Sequence, residues 1–229
     1  MIEAVLRTLR PQLGALANAR DAVRQSASHA ADRRVGALEL AHSQGPKAWL
    51  PLHQHESARS RPGHAVHFAT SDAGLVARLA LYVADGLSAG DVCLVVATAE
   101  HLAGMHQWLA ANGLEGRGPG RLVELDAHDV MAALLPGGAF DPAVFDGIVE
   151  EVLTPYTTSG EGFRVFGEIV DLLHRRGDLV AALDLERRWK VVQRRLGFPL
   201  LCAYVDPGES EEWLRAVGQI CETHTHLAG

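Results

Sequence analysis

The sequence lacks most of the short motifs that mark nucleotide binding or catalysis. Its 229 residues contain no GxxxxGK[ST] phosphate-binding loop, and neither GxGxxG nor GxSxG occurs at a strand-to-helix turn. Lys47 and Lys190 are the only lysines, and neither follows a strand-like run. The glycine-rich stretch 116–120 precedes a strand pattern, and Pro119 removes a backbone donor, so it is only a loop. We therefore expect no ATP hydrolysis and predict that the protein is not an enzyme.

Cysteine, long apolar runs and excess positive charge are also scarce. The three cysteines, Cys93, Cys202 and Cys221, form no CxxC pair, which fits a reducing cytoplasm. No window approaches the roughly 18 uninterrupted apolar residues of a membrane span, and the N-terminus has no apolar signal-peptide core. The net charge of -7 argues against broad nucleic-acid binding. We expect a cytoplasmic protein that contacts neither membranes nor nucleic acid directly.

The N-terminal fifth of the chain has a helical pattern with a narrow apolar stripe. Its members are Ile2, Leu6, Leu9, Leu13, Leu16 and Val23. Spacings of three, four and seven predict that residues 1–45 form a helical extension, either an oligomerisation or signalling element or a helix packed on its own domain. The stretch 46–62 lacks periodicity and is rich in Pro, Ser and His, which predicts a linker. We expect a homodimer joined through the stripe.

From residue 63 onward, strand and helix patterns alternate. Strands are predicted at 64–70, 92–97, 122–125, 164–166 and 200–205, and helices at 75–87, 100–112, 130–135, 142–153, 171–196 (broken near Gly177) and 209–223. This alternation predicts an α/β fold with a mostly parallel sheet flanked by helices. The remaining chain, 63–229, is then one domain.

Glu168 is a carboxylate at the predicted carboxyl end of a strand. Glu168 follows the strand-like run around Phe166, and a helical pattern begins at Asp171. Ligands in open α/β sheets collect at the carboxyl ends of strands. We expect Glu168 to be protonated, paired with His67 of the first strand, or hydrogen-bonded to loop amides. The same position also suits a purely structural carboxylate.

Twelve histidines form two clusters with ligand-like spacing. His53 and His55 precede the first strand, and Cys221 is followed by His224 and His226. Neither spacing matches a standard zinc signature, so we predict no metal site and no cofactor. A metal or haem sensor that uses these clusters stays open as an alternative.

A further carboxylate shares a predicted helix face with an indole. Glu186 lies three residues before Trp189, so the two side chains can project together. Such a pair can line a pocket or simply close a core.

Seven segments of the sequence occur in a specific order. They are Gly63-His64-Ala65-Val66-His67-Phe68, Gly86-Leu87-Ser88-Ala89-Gly90 with Leu94-Val95-Val96-Ala97-Thr98-Ala99-Glu100-His101, Val165-Phe166-Gly167-Glu168-Ile169-Val170, Ala182-Leu183-Asp184-Leu185-Glu186-Arg187-Arg188-Trp189, Leu200-Leu201-Cys202-Ala203-Tyr204 and Ile220-Cys221-Glu222-Thr223-His224. Together they resemble the MEDS domain, the sensory domain of methanogen and methylotroph regulators of the DcmR type, from about Gly63 to His224. The resemblance implies a RecA/KaiC-like sheet without a phosphate-binding loop, and a role in sensing small organic molecules.

These observations predict a non-enzymatic, cytoplasmic sensory domain over 63–229 that signals to a transcriptional or kinase partner. The predicted ligand-binding residues are His67, Phe68, Phe166, Glu168, Glu186, Trp189 and Tyr204. The aromatic members would form apolar walls, and the polar members would orient a small organic molecule. A ligand-free protein-interaction module is the alternative from a different class.

Overall fold

The computed structural model describes residues 63–116, 118–157, 160–206, 208 and 211–228. The predicted helical extension over 1–45, its dimer stripe and the linker over 46–62 lie outside these residues. The described residues therefore belong to the predicted sensory domain, 63–229.

A six-stranded sheet forms the centre of the described domain. Its strands are β1 (Gly63–Ala69), β2 (Val92–Ala97), β3 (Arg121–Asp126), β4 (Phe163–Gly167), β5 (Pro199–Val205) and β6 (His226–Leu227). They are ordered β3-β2-β4-β5-β1-β6, and every neighbouring pair is parallel. This confirms the predicted α/β class with a parallel sheet.

Helices cover both faces of the sheet. They are α1 (Asp72–Ala89), α2 (Ala99–Ala111), α3 (Ala127–Leu134), α4 (Pro142–Ile148), α5 (Thr154–Thr157), α6 (Ile169–Arg175), α7 (Leu179–Leu196) and α8 (Glu211–Thr223). One apolar cluster joins α1 and α2 to one face, and a second joins α3, α4, α6, α7 and α8 to the other. β2 is buried along its whole length because it lies between these layers. Within the described residues, no helix has the length and apolar character needed to cross a bilayer.

Two parts of the secondary structure differ from the prediction. The helix expected over 142–153 ends at Ile148, and a π-helical turn, Val149–Leu153, leads into α5. No element is predicted from the sequence beyond residue 223, but His226 and Leu227 pair with Ala65 and Val66 as β6. A two-residue strand leaves no periodicity to read, which explains why the sequence did not reveal it.

The glycine-rich stretch 116–120 is a packing element. A Cβ on Gly118, which has φ +97°, would overlap the carbonyl oxygen of Leu87 at the end of α1. A Cβ on Gly120 would lie 2.6 Å from the Leu87 Cα and the Asp91 carbonyl oxygen. These glycines allow the loop before β3 to lie directly against the backbone after α1. The loop interpretation of this stretch is confirmed, with close backbone approach as its physical cause.

A buried ion pair fixes the amino ends of β2 and β4. Arg164 of β4 donates from Nε to Asp91 Oδ2 at 2.8 Å, and its side chain is 2% exposed. A second nitrogen donates to the Tyr82 carbonyl oxygen at 3.1 Å, and the guanidinium lies 5.1 Å from the Tyr82 ring centroid. Because each charge has a partner, burial is tolerated. This pair lies at the amino ends of the central strands, whereas Glu168 lies at their carboxyl ends.

Candidate functional site

The neighbouring strands β2 and β4 form a topological switch point. From β2 the chain passes through α2 to β3 on one side, and from β4 it passes through α6 and α7 to β5 on the other. α2 and α6 pack on opposite faces of the sheet. Such a geometry leaves a crevice at the carboxyl ends of the two strands, which is where open α/β sheets bind ligands.

Glu168 lies at this switch point, directly after β4 and before α6. Its backbone N–H donates to the Val96 carbonyl oxygen at 3.1 Å, which ties it to the end of β2. Its side-chain Oε1 accepts a hydrogen bond from the Thr98 backbone N–H. Its Oε2 lies 2.7 Å from His101 Nδ1. Both carboxylate oxygens are therefore bound by groups that follow β2.

The local sequence after β2 explains how these partners are oriented. Thr98 is the N-cap of α2, and its hydroxyl oxygen accepts from the His101 backbone N–H at 3.3 Å. The cap holds His101 in the first turn of the helix, with its ring facing Glu168. The Thr98 amide remains available to the carboxylate because the first N–H groups of a helix have no partner within it.

Charged side chains continue the network across the same edge. His101 Nε2 lies 3.4 Å from Asp72 Oδ1 at the start of α1. Arg175 of α6 lies 3.5 Å from the same Asp72 oxygen and donates from Nε to Asp171 Oδ2 at 2.7 Å. We call Asp72, Thr98, His101, Glu168, Asp171 and Arg175 the switch-point network. It connects α1, α2 and α6 where the strands end.

Burial and charge shift two pKa values in this network. The hydrogen bond to Glu168 raises the pKa of His101 above its ordinary value, against the opposing effect of burial, and Asp72 adds to the increase. Burial raises the pKa of Asp171 to about 6, although Arg175 opposes that shift. Glu168 is 2% exposed, His101 12% and Asp72 67%, so the network runs from the interior to the surface.

A second polar cluster lies inside the domain, beneath β1 and β5. Glu186 of α7 is fully buried, and its Oε1 accepts from the Tyr204 hydroxyl at 2.7 Å. Its Oε2 lies 3.2 Å from His64 Nε2 and 3.3 Å from His224 Nε2. The His64 Nε2 atom also lies 3.2 Å from Cys202 Sγ. We call His64, Glu186, Cys202 and His224 the buried four-residue cluster.

The pKa values in this cluster follow from burial and mutual contact. Burial lowers the pKa of His224 to about 4, although Glu186 opposes the shift. Burial alone would raise the pKa of Glu186, but His64, His224 and Tyr204 together bring it below its ordinary value. Burial and the neighbouring Glu186 raise the pKa of the Cys202 thiol well above its ordinary value. Glu186 is thus a buried carboxylate that faces a neutral imidazole.

The structure places the seven predicted ligand-binding residues in several parts of the domain. Glu186 and Tyr204 are brought together, and the Phe68 ring lies 5.7 Å from the Tyr204 ring. Phe166 is fully buried in the apolar cluster under α1 and α2. Trp189 is partly buried and packs edge-on against Phe145 at 5.1 Å. These positions place the aromatic residues in core packing.

The two predicted polar groups of the crevice are also separated. Glu168 bonds to a loop amide, as one of the stated alternatives expected, but its ring partner is His101 and the pairing with His67 is wrong. His67 Nδ1 instead lies 2.9 Å from the Ala228 carbonyl oxygen. β1 is separated from β4 by β5, so residues of the two strands are not neighbours.

Sequence reasoning missed the residues that complete both sites. Thr98 and His101 follow the strongly predicted strand β2, so the strand-end rule that selected Glu168 would also have found them. His64 and Cys202 gave no comparable signal, because the register of β1 and β5 that aligns their side chains is a tertiary feature. Among the described members of the two histidine groups noted in the sequence, His224 alone belongs to the buried four-residue cluster. His53 and His55 lie outside the described residues.

Comparison with known families gives one match. Residues 63–224 match the family described as MEDS, the methanogen/methylotroph, DcmR sensory domain. No curated protein matches the sequence significantly. The matched segment covers more than half of the chain and includes every residue of both polar sites.

Proposed function

The chain belongs to the MEDS family of sensory domains, and on that premise we propose that it is a non-enzymatic, cytoplasmic sensor that binds a small organic molecule at the switch point between β2 and β4. Binding is signalled to a regulatory partner, either a transcriptional regulator or a kinase. The observation that carries this proposal is the buried carboxylate of Glu168, held in the crevice between the Thr98 amide and the His101 ring.

The charges of the switch-point network favour a neutral or cationic ligand. Asp72, Glu168 and Asp171 carry acidic side chains, against the two basic side chains of His101 and Arg175. A ligand hydroxyl or ammonium group can donate to these carboxylates, whereas a nucleotide phosphate would be repelled. The lysine in the described chain, Lys190, lies on α7 and donates to the Glu222 carbonyl oxygen at 2.7 Å. It is therefore engaged away from the crevice.

The arrangement supports recognition better than chemistry. Both oxygens of Glu168 already accept hydrogen bonds, so the carboxylate is oriented and stabilised rather than free to take a proton. His101 is held between Glu168 and Asp72, which favours its charged form. A preorganised charged pair of this kind can orient one polar group of a ligand.

A signal can leave the site through the elements that the network joins. His101 contacts Asp72 at the start of α1, and α1 directly follows β1. Residues 1–62 join the amino end of β1, whereas the contact between His101 and Asp72 lies beyond its carboxyl end, so the signal has to pass along the 7 residues of this strand. A ligand that alters this contact shifts the signalling state only by its difference in affinity between two states. The proposed receiver is the N-terminal extension, acting in a homodimer.

The experiment is a thermal-unfolding screen of the full chain against small alcohols, ketones and amines. The matched variants are Glu168→Gln and Glu124→Gln. Glu124 of β3 also pairs with a histidine of α2, His106, at 2.8 Å. That pair is more exposed to solvent than the pair of Glu168 and His101. We expect at least one compound to raise the Tm of the wild type and of Glu124→Gln, with a much smaller effect on Glu168→Gln.

Each other outcome of the screen contradicts part of the proposal. If a compound stabilises all three proteins equally, the ligand site is elsewhere in the domain. If no compound acts at millimolar concentration, the ligand-free interaction module becomes the better explanation. Calorimetry with ATP and magnesium should give no binding, and micromolar affinity with turnover would overturn the non-enzymatic assignment.

A further inference from the structure

We propose that the buried four-residue cluster, His64, Glu186, Cys202 and His224, is a binding site for a zinc-class divalent metal ion. The four side chains come from β1, α7, β5 and the segment after α8, and one ligand atom from each lies within 4.8 Å of all the others. This inference stands on its own observations and does not depend on the ligand site at the switch point.

Three of the six distances between the ligand atoms are close to the edges of a coordination tetrahedron, and the other three are no longer than 4.8 Å. Nitrogen and oxygen ligands placed 2.0–2.1 Å from zinc at tetrahedral angles lie about 3.3 Å apart. The Glu186 Oε2 atom lies 3.2 Å from His64 Nε2 and 3.3 Å from His224 Nε2. Cys202 Sγ lies 3.2 Å from His64 Nε2. One ion at the centre can therefore reach all four atoms with small adjustments of the side chains.

The hydrogen bonds around the cluster leave its inner atoms as acceptors. The Ile220 carbonyl oxygen lies 2.7 Å from His224 Nδ1, and because a carbonyl can only accept, this nitrogen carries the proton. In the neutral ring, Nε2 then presents a lone pair to Glu186 Oε2, which is also an acceptor. His224 Nε2 has no hydrogen-bond partner among the described residues, and the other close neighbour of Glu186 Oε2 is His64 Nε2 at 3.2 Å. Two buried acceptors that face each other are unfavourable unless a proton or a metal ion lies between them.

The outer contacts are those that metal ligands usually have. A ligating histidine commonly donates its second N–H to a backbone carbonyl, as His224 does to Ile220. A ligating carboxylate commonly accepts a hydrogen bond on its free oxygen, as Glu186 does from the Tyr204 hydroxyl. These contacts fix the orientation of one imidazole and one carboxylate before any ion binds.

Charge balance also favours an ion. A divalent cation with the Glu186 carboxylate and the Cys202 thiolate gives a centre with no net charge, since a coordinated thiol is deprotonated. Two imidazoles, one carboxylate and one thiolate are ligand types that zinc accepts, and the set contains too much nitrogen and sulfur for magnesium or calcium. Because the site is closed to solvent and has four protein ligands, we infer a structural role that joins the C-terminal segment to β1.

The test measures metal in the full chain, produced without a histidine tag and purified without chelator. We expect about one zinc ion per chain by elemental mass spectrometry. Glu186→Gln, Cys202→Ser and His224→Asn should each reduce this at least tenfold. Cys221→Ser and His226→Asn are the matched controls, because each removes a potential ligand close to the cluster in sequence and should retain the metal.

Cobalt provides a readout that does not depend on stability. Protein depleted of zinc and loaded with Co²⁺ should show the absorption of a tetrahedral centre, with a thiolate-to-metal charge-transfer band that Cys202→Ser removes while Cys221→Ser keeps it. If the wild type contains no stoichiometric metal and takes up neither ion, the cluster is a hydrogen-bond network and the proposal is wrong. If the controls lose metal as completely as the cluster variants, the ion binds elsewhere.

Discussion

The pair formed by Glu168 and His101 makes the sharpest prediction about the crevice. Glu168→Gln keeps the shape of the side chain but removes its charge. The glutamine oxygen can still accept from the Thr98 amide, so that hydrogen bond persists in a neutral form. The interaction with His101 loses its ionic character, because a carboxamide does not stabilise an imidazolium as a carboxylate does.

The expected cost follows from the two hydrogen bonds that the carboxylate accepts. A hydrogen bond to a charged group contributes about 1.5–3 kcal/mol, and a neutral one about 0.5–1.5 kcal/mol. Converting two such bonds from charged to neutral predicts a loss of about 1–3 kcal/mol of unfolding free energy for Glu168→Gln. Glu168→Ala should cost more, about 3–5 kcal/mol, since it leaves the Thr98 amide and the His101 ring without their partner. The exposed control Glu124→Gln should change stability by no more than about 1 kcal/mol.

The sign of the pH dependence provides an independent check. The pKa of His101 is raised in the folded protein by Glu168. Its stabilising contribution is therefore fully present below the unfolded pKa of about 6.5 and is lost as the pH rises through the raised folded value. The difference in unfolding free energy between the wild type and Glu168→Gln should accordingly be larger at about pH 6 than at about pH 9.

The assay combines urea unfolding at the two pH values with an NMR titration of the His101 ring. In the wild type the His101 resonances should titrate above the ordinary histidine range, and in Glu168→Gln they should return towards it. The reasoning fails if His101 titrates at the same pH in both proteins. It also fails if the cost of the substitution is the same at both pH values.

Three further predictions concern the rest of the chain. Asp91→Ala should cost about 3–5 kcal/mol in urea unfolding, because it leaves the Arg164 guanidinium buried without its counterion; a cost under about 1 kcal/mol would mean that water reaches this pair. Gly120→Ala should lower the Tm, because its Cβ would lie 2.6 Å from the Leu87 Cα and backbone atoms cannot move aside cheaply; an unchanged Tm would show that the loop before β3 is not packed as described. A chain that begins at Arg61 should be monomeric by light scattering while the full chain is dimeric, and an unchanged oligomeric state would place the dimer contact outside residues 1–60.

The sequence alone determined the class of the fold and most of its elements. Buried strands such as β2 are visible as unbroken apolar runs, and helices such as α7 are visible through their periodicity and the break at Gly177, because these patterns depend on local geometry. Glu168 could be placed at a strand end by the same local reasoning. The family was likewise reached from the order of short segments in the sequence, and the match over residues 63–224 confirms it.

Only the tertiary structure decided which side chains meet. The strand order puts β4 beside β2 and keeps it apart from β1, so Glu168 contacts His101 and not His67. The register of β1 on β5, together with the packing of α7, brings His64 and Cys202, which are 138 positions apart along the chain, to Glu186. Periodicity indicates which face of an element is buried. Contacts between distant elements depend on strand order and register, because these are set by the packing of the whole domain.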